Sequence, residues 1–380
     1  MIWERVKLGD VSDSCLGKML DQRKNKGTYK PYLANVNVRW GAFDLDNLQE
    51  MKFEDDEDER YGIKYGDLII CEGGEPGRCA IWKEQLPNMK IQKALHRLRV
   101  NEEMDYRYVY YWFLLAGKQG ALKQYYTGAT IMHMPGQKLK EVVIDKPPLD
   151  VQRKIGDYLE AFDDLIENNQ KQIKLLEEAA QRLYKEWFVD LRFPGYEDVD
   201  VVDGVPDGWS KEPIGSIIGK VSRTKQIKTA DYLLEGAIPV IDQSRNFIAG
   251  YTNDSEALVN TGTPVIVFGD HTRILKYIQF PFAKGADGTQ LIISDRTNMP
   301  QSLLYLSLIA VDLSNYHYAR HFKYLKAEYI LIPTQDVADE FDRLISPIFS
   351  QIQKLREKCY KLSQARDRLL PKLMSGEIEV

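Results

Sequence analysis

One helix-length pattern occurs twice in this chain, and it constrains most of what the rest can become. In the first copy the inward series is Ile155, Leu159, Phe162, Ile166, Asn169, Ile173, Leu176, Ala180, Leu183 and Trp187. The steps alternate four and three without a break, which is a heptad seam and not the broader stripe of a helix lying on a globular core. Pro147 and Pro148 stop whatever precedes them, and Asp150 is placed to cap the helix N-terminus. Asn169 is the one polar seam residue, a type of position that fixes register at some cost in stability. The second copy runs Phe341, Ile345, Ile348, Ile352, Leu355, Cys359, Leu362, Arg366, Leu369 and Leu373. Asp150 maps onto Asp336, Val151 onto Val337, and every seam position follows at the same offset. Pro347 interrupts the second copy and predicts a kink or a break there, because proline removes a helical hydrogen bond.

The repeat extends upstream of each helix. "WERVKLGDV" answers "WSKEPIGSI", each followed by Gly-Lys (Gly17-Lys18, Gly219-Lys220) and a basic loop. "YGDLIICEGGEPGRCAIW" answers "TGTPVIVFGDHTRILKYI", both strand, turn-rich loop, strand. "YRYVYYWFLL" answers "QSLLYLSLIAV" as a short buried helix, and "LKEVVIDKPP" answers "KAEYILIPT" as a last strand ending in proline. The predicted fold is α+β: two mixed, sheet-containing modules (1–146 and 193–334) and two helical segments (147–192 and 335–380). The two helices are expected to pair as an antiparallel coiled coil in a pseudo-two-fold repeat. About 33 residues at ~1.5 Å each make a rod of ~50 Å, which spans on the order of 15 base pairs of duplex DNA. Two unlike modules held so far apart suit two unlike half-sites.

Composition excludes several classes. A net charge of −5 speaks against a generic polyanion binder, though basic clusters stand out locally at Gly17–Lys30 and Gly219–Lys228. The start "MIWERVKLGD" has no apolar core of a signal peptide, and "YVYYWFLLAG" covers only about half a membrane span. A soluble, cytoplasmic protein is expected. Cys15, Cys71, Cys79 and Cys359 form no CxxC pair, and Cys71 and Cys79 with His96 make a poor zinc set. "DKPPL" lacks the polar and aromatic residues with which amino-methyltransferases hold a target amine. "CEGGEPGR" lacks the Lys-Ser/Thr of a phosphate-binding loop, and "GDHTR" has no nucleophile or metal set around it. No catalytic constellation emerges.

The same loops suit reading. Arg, Lys, Gln, Asn and His can address base edges, while small polar residues and backbone amides suit phosphates. In the first module the candidates are Lys18, Arg23, Lys24, Lys26, Arg78 and Lys93. In the second they are Lys220, Arg223, Lys225, Gln243, Arg245, Asn246, His271, Arg273 and Gln290.

These residues lead to a family resemblance. The stretch from "PPLDVQRKIGDYLEAF" to "LYKEWFVDLRFPGYE", then "GVPDGW", resembles the central region of specificity subunits of type I restriction–modification systems. "IPVIDQSRNFIAGY" and "KGADGTQLI" resemble parts of their target recognition domains, and "LLPKLMSGEIEV" resembles their C-terminus. The second helical region departs from the pattern at Pro333-Thr334 and at Pro347. The resemblance implies two target recognition domains, each reading half of a split double-stranded DNA site, and no catalysis in this chain. It implies that two methyltransferase (modification) subunits dock on the helical regions and that restriction/translocase subunits join them. S-adenosylmethionine, ATP and Mg are then expected on those partners, with no cofactor on this chain and no membrane contact. The outward helix faces and the Trp187-Phe188 junction become docking candidates. The competing class is a coiled-coil protein-interaction scaffold without DNA binding; a third is a catalytic fusion fragment whose active part lies elsewhere.

Overall fold

The computed structural model describes residues 3–21, 23–316 and 320–380. The chain divides into two compact units, one running up to Glu167 and including Tyr360–Val380, the other Asn168–Cys359. Both divisions fall inside the long helices, so each unit owns one module and one half of each helix.

In the first unit, Glu4–Lys7 pairs antiparallel with Val143–Lys146, so the strand that opens the module is met by the strand that closes it. Ser12–Leu16, Leu95–Val100, Leu68–Cys71 and Cys79–Ile81 form an antiparallel sheet in that order. Gln49–Phe53, Thr28–Leu33 and Lys90–Ile91 form another, in which Leu33 lies beside Ile91 in a parallel pair. Leu68–Cys71 is buried at every position, as a strand of aliphatic residues covered on both faces must be. The helix Tyr106–Gln119 shares its core through Tyr108, Val109 and Phe113. Asp105 starts that helix by accepting from the amides of Arg107 and Tyr108, and Gly120 (φ 71°) ends it in the left-handed conformation.

The second unit repeats this plan. Ser210–Pro213 pairs with Tyr329–Ile332. Ile238–Ile241 runs antiparallel to Gly250–Thr252 and parallel to Phe282–Lys284. Val265–Gly269, again buried throughout, lies between Leu275–Ile278 and Thr289–Ile292. The helix Gln301–Ala310 closes the core with Leu303, Leu304 and Leu306.

The central helix spans Leu149–Tyr184 and continues in a π-helical turn, Lys185–Val189. The C-terminal helix spans Gln335–Met374. Within the first unit Asp163 meets Arg366, while Ile155 and Leu159 share a core with Leu370 and Leu373. Within the second, Glu177 meets Arg356 and Trp187 packs 5.4 Å from Phe341. In each unit one residue number falls as the other rises, so the helices run antiparallel there.

Four expectations need correction. Pro347 does not break the C-terminal helix, which is continuous over 40 residues. Pro347 and Arg343, whose carbonyl loses its partner, are exposed to water, while buried Ile345, Phe349 and Ile352 hold the opposite face. Asp150 lies inside the first turn, and the Pro148 carbonyl accepts the Gln152 amide at 3.0 Å. The seam is narrow only in the helix middles: near its start the central helix lies on the module, with Gln152 buried and bonded to Asp105 N, Pro147 O and Glu103 O. Trp187 and Phe188, 6% and 5% exposed, pack with Trp209, Phe193 and Phe341, so neither ring is itself offered to a partner. The remaining seam residues are buried or half-buried, with Leu370 more deeply buried than Leu369.

Candidate nucleic-acid interface

Each module builds a corner from three pieces: the exit of a parallel strand, the tip of a hairpin and a turn before the next strand. In the first, Asn35 follows strand Thr28–Leu33 and donates from Nδ2 to the Gly73 carbonyl at 2.9 Å. Arg78 Nη2 donates to the Asn35 carbonyl at 3.1 Å, and the Glu72 amide donates to the Ala94 carbonyl at 2.8 Å. Glu75 braces the hairpin, accepting from Trp40 Nε1 at 2.7 Å and pairing with Arg78 at 3.0 Å.

In the second, Gln243 follows strand Ile238–Ile241 and donates from Nε2 to the Asp287 carbonyl at 3.0 Å. Its Oε1 accepts from the His271 amide at 3.1 Å, and its carbonyl accepts from Thr272 Oγ1 at 2.8 Å. The Asp270 amide donates to the Gly288 carbonyl at 2.6 Å. Gly288 (φ 71°) is required there, since a Cβ would lie 2.6 Å from the His271 ring and 2.7 Å from Gln243. An amide side chain at the same topological place thus tethers the hairpin loop in both modules, and in the second it reaches the turn before the next strand as well.

The expected contact residues divide by what they already hold. Arg23, Lys24 and Lys26 are exposed on a turn whose amides are held by Asp21 Oδ1 at 3.0 Å (Arg23) and 3.2 Å (Lys24). Arg245, Asn246 and His271 are exposed and gather around Gln243. Lys220 and Arg223 are exposed on the basic loop, where Lys225 pairs with Asp254 at 2.6 Å. Lys93 is half-buried, its amide donating to the Lys18 carbonyl, and Gln290 lies opposite Phe268 within the sheet. Gln243 is engaged within the corner as described, and three further side chains are committed inside the fold. Lys18 is buried on the Phe53 ring and pairs with Glu57. Arg78 is held as described, and Arg273 donates from Nη2 to the Tyr316 carbonyl at 2.7 Å and from Nε to His321 Nε2 at 3.2 Å.

Sequence reasoning missed the supporting residues. Lys276, 4% exposed, donates from Nζ to the carbonyls of Asp242 (2.8 Å) and Asn246 (2.5 Å), closing the loop that carries Gln243 and Arg245. Burial pushes its pKa down to about 8, partly offset by Asp242. A lone lysine inside the apolar run "ILKYI" was the available signal. Asn35 and Arg356 carried none. Among the described residues no group of three or more His, Cys, Asp or Glu could hold a metal ion.

Residues 2–178 match the family model described as the type I restriction modification DNA specificity domain, and the second module repeats the strand plan of the first. The first module and most of the central helix thus carry a type I DNA specificity domain, and the chain is similar to type I specificity subunits. The type I restriction enzyme MjaIX specificity subunit of Methanocaldococcus jannaschii is 29% identical over 343 residues, spanning 83% of this chain and 78% of the relative. The MjaVIII specificity subunit of the same organism is 24% identical over 241 residues, spanning 62% and 53%. The crystal structure of a type I system S subunit from M. genitalium aligns over 98% of this chain and 96% of its own, with a TM-score of 0.56 at 15% identity. That structure shares the fold. No helix among the described residues is long and apolar enough to cross a membrane.

Proposed function

We propose that this chain is a specificity subunit that reads a bipartite, asymmetric DNA site within a type I restriction–modification complex, one half with each module. The carrying observation is the repeated corner, in which Asn35 and Gln243 each tether the hairpin loop from the same strand exit while the side chains around them differ. Matched placement with unequal side chains suits two different half-sites. Segments 1–146 and 193–334 act as readers, and 147–192 and 335–380 as helical regions. Two modification subunits dock on those helical regions and a restriction/translocase subunit joins them. S-adenosylmethionine, ATP and Mg belong to those partners, and the complex works in the cytoplasm. Exposed Tyr158, Leu165 and Leu175 on the central helix give apolar contacts for such docking.

The test is to co-express the chain with its partner subunits and map methylated adenines in the host DNA. A split motif with two unlike halves supports the reading. Replacing residues 1–146 by the module of a relative should change one half only. A methylated genome without a split motif, or a swap that changes both halves, overturns it.

A further inference from the structure

The loop Asp242–Ala249 carries Gln243, Arg245 and Asn246, yet packing beneath it is incomplete. A cavity of about 320 Å³ lies under it, lined by Arg245, Phe247, Lys276, Tyr305, Phe349 and Arg356 among others. A loop over such a space is not fixed by close contacts alone. Two cations hold it instead. Lys276 grips both of its shoulders through the Asp242 and Asn246 carbonyls.

The second cation comes from the C-terminal helix. The Arg356 guanidinium lies 4.1 Å from the centroid of the Phe247 ring. Its Nη2 also donates to Glu177 Oε1 of the central helix at 2.6 Å. The carboxylate fixes one edge of the planar group, and the flat face is left for the aromatic ring. Burial pushes the Glu177 carboxyl up and the Arg356 guanidinium down, each partly restored by the other, so neither is well placed without its partner. Apart from Lys276, the charged groups around the cavity are Glu177, Arg245 and Arg356.

We propose that Arg356 is a positioning residue for base reading: held by Glu177 and stacked on Phe247, it sets the loop that presents Arg245 and Asn246. Discrimination at the half-site read by the second module then depends on a side chain of the helical region, remote in sequence from every reader. This rests on the proposed function. Among the described residues the first module has no matching stack: its equivalent loop is held through Asn35 and Arg78.

The experiment compares wild-type chain with Arg356→Lys, Arg356→Ala and Phe247→Leu, each in the assembled complex, by methylated-motif mapping and by binding to duplexes with single base-pair changes. Arg356→Lys keeps a charge for Glu177 but loses the planar stack, and Phe247→Leu keeps apolar volume but loses the ring. Both remain informative if Arg356→Ala fails to fold. The expected result is a roughly 5- to 100-fold loss of discrimination at one half-site, the scale of one misplaced base contact, with the other half unchanged. Full discrimination at both halves in folded Arg356→Lys and Phe247→Leu overturns the positioning role, as does equal loss at both. A wild-type chain that yields no split motif fails the proposed function itself.

Discussion

Arg366 of the C-terminal helix donates to Asp163 of the central helix at a seam position that Leu362 and Leu369 flank with apolar side chains. The pair does not stand alone. Tyr111 Oη donates to Asp163 Oδ2 at 2.7 Å, Arg366 also donates to Asp367 at 2.9 and 3.1 Å, and Lys118 pairs with Asp367. Removing Asp163 leaves a mostly buried guanidinium and a phenol short of a partner. Removing Arg366 leaves Asp163 with Tyr111, and Asp367 with Lys118.

Asp163→Ala should therefore cost more than Arg366→Met. The first is expected to lose roughly 3–5 kcal/mol, as breaking one side of a buried pair does. The second should lose clearly less, because methionine restores apolar packing. Thermal unfolding of both variants decides, and an inverted order would contradict the network.

Asn169 is buried on the seam and leaves its Nδ2 without a partner. Asn169→Leu should raise stability by about 1 kcal/mol, since a buried orphan donor costs ~1–3 kcal/mol. A lower melting temperature in the variant would show that the amide is stabilising where it sits.

Lys276 gives a pH signature. Its folded pKa of about 8 lies below the ~10.4 of an unfolded lysine. Between those values the unfolded chain holds a proton that the folded chain lacks, so this site adds stability as pH rises through the window. Below pH 8 its contribution is flat. The stability of wild type relative to Lys276→Met should therefore grow from pH 8 to about 10, by at most on the order of 3 kcal/mol. Chemical denaturation of both proteins across that range measures it. A difference that shrinks with pH would mean that the two carbonyls hold the ammonium fully charged.

The exposed turn offers an electrostatic test. Replacing Arg23, Lys24 and Lys26 together by Ala should lower the slope of log K against log salt by up to ~3, at about 0.9 per phosphate contact, and leave the motif unchanged. Lys18→Ala should instead lower thermal stability, because its ammonium is used inside the fold by Glu57 and the Lys52 carbonyl. If the triple variant keeps the wild-type salt slope, the turn does not touch the DNA backbone.

Much of the architecture was legible in local pattern. Heptad spacing gave both long helices, and the module repeat followed from matched strand and turn signals, because periodicity and turn chemistry are properties of neighbouring residues. The break expected at Pro347 failed for a non-local reason. One missing hydrogen bond on a wet face weighs less than the burial of Ile345, Phe349 and Ile352 on the other.

The readers divided along the same line. Sequence by itself determined which side chains could address DNA, since that follows from residue type, and it placed them on loops. Only the tertiary structure decided which are free to do so. Lys18 and Arg273 lie on such loops yet are tied to Glu57 and to Tyr316 and His321, while Gln243 and His271, far apart in the chain, meet through a hydrogen bond. That choice is set by parallel strand pairing between Ile238–Ile241 and Phe282–Lys284 and by a left-handed Gly288, contacts of long sequence separation that no local pattern encodes.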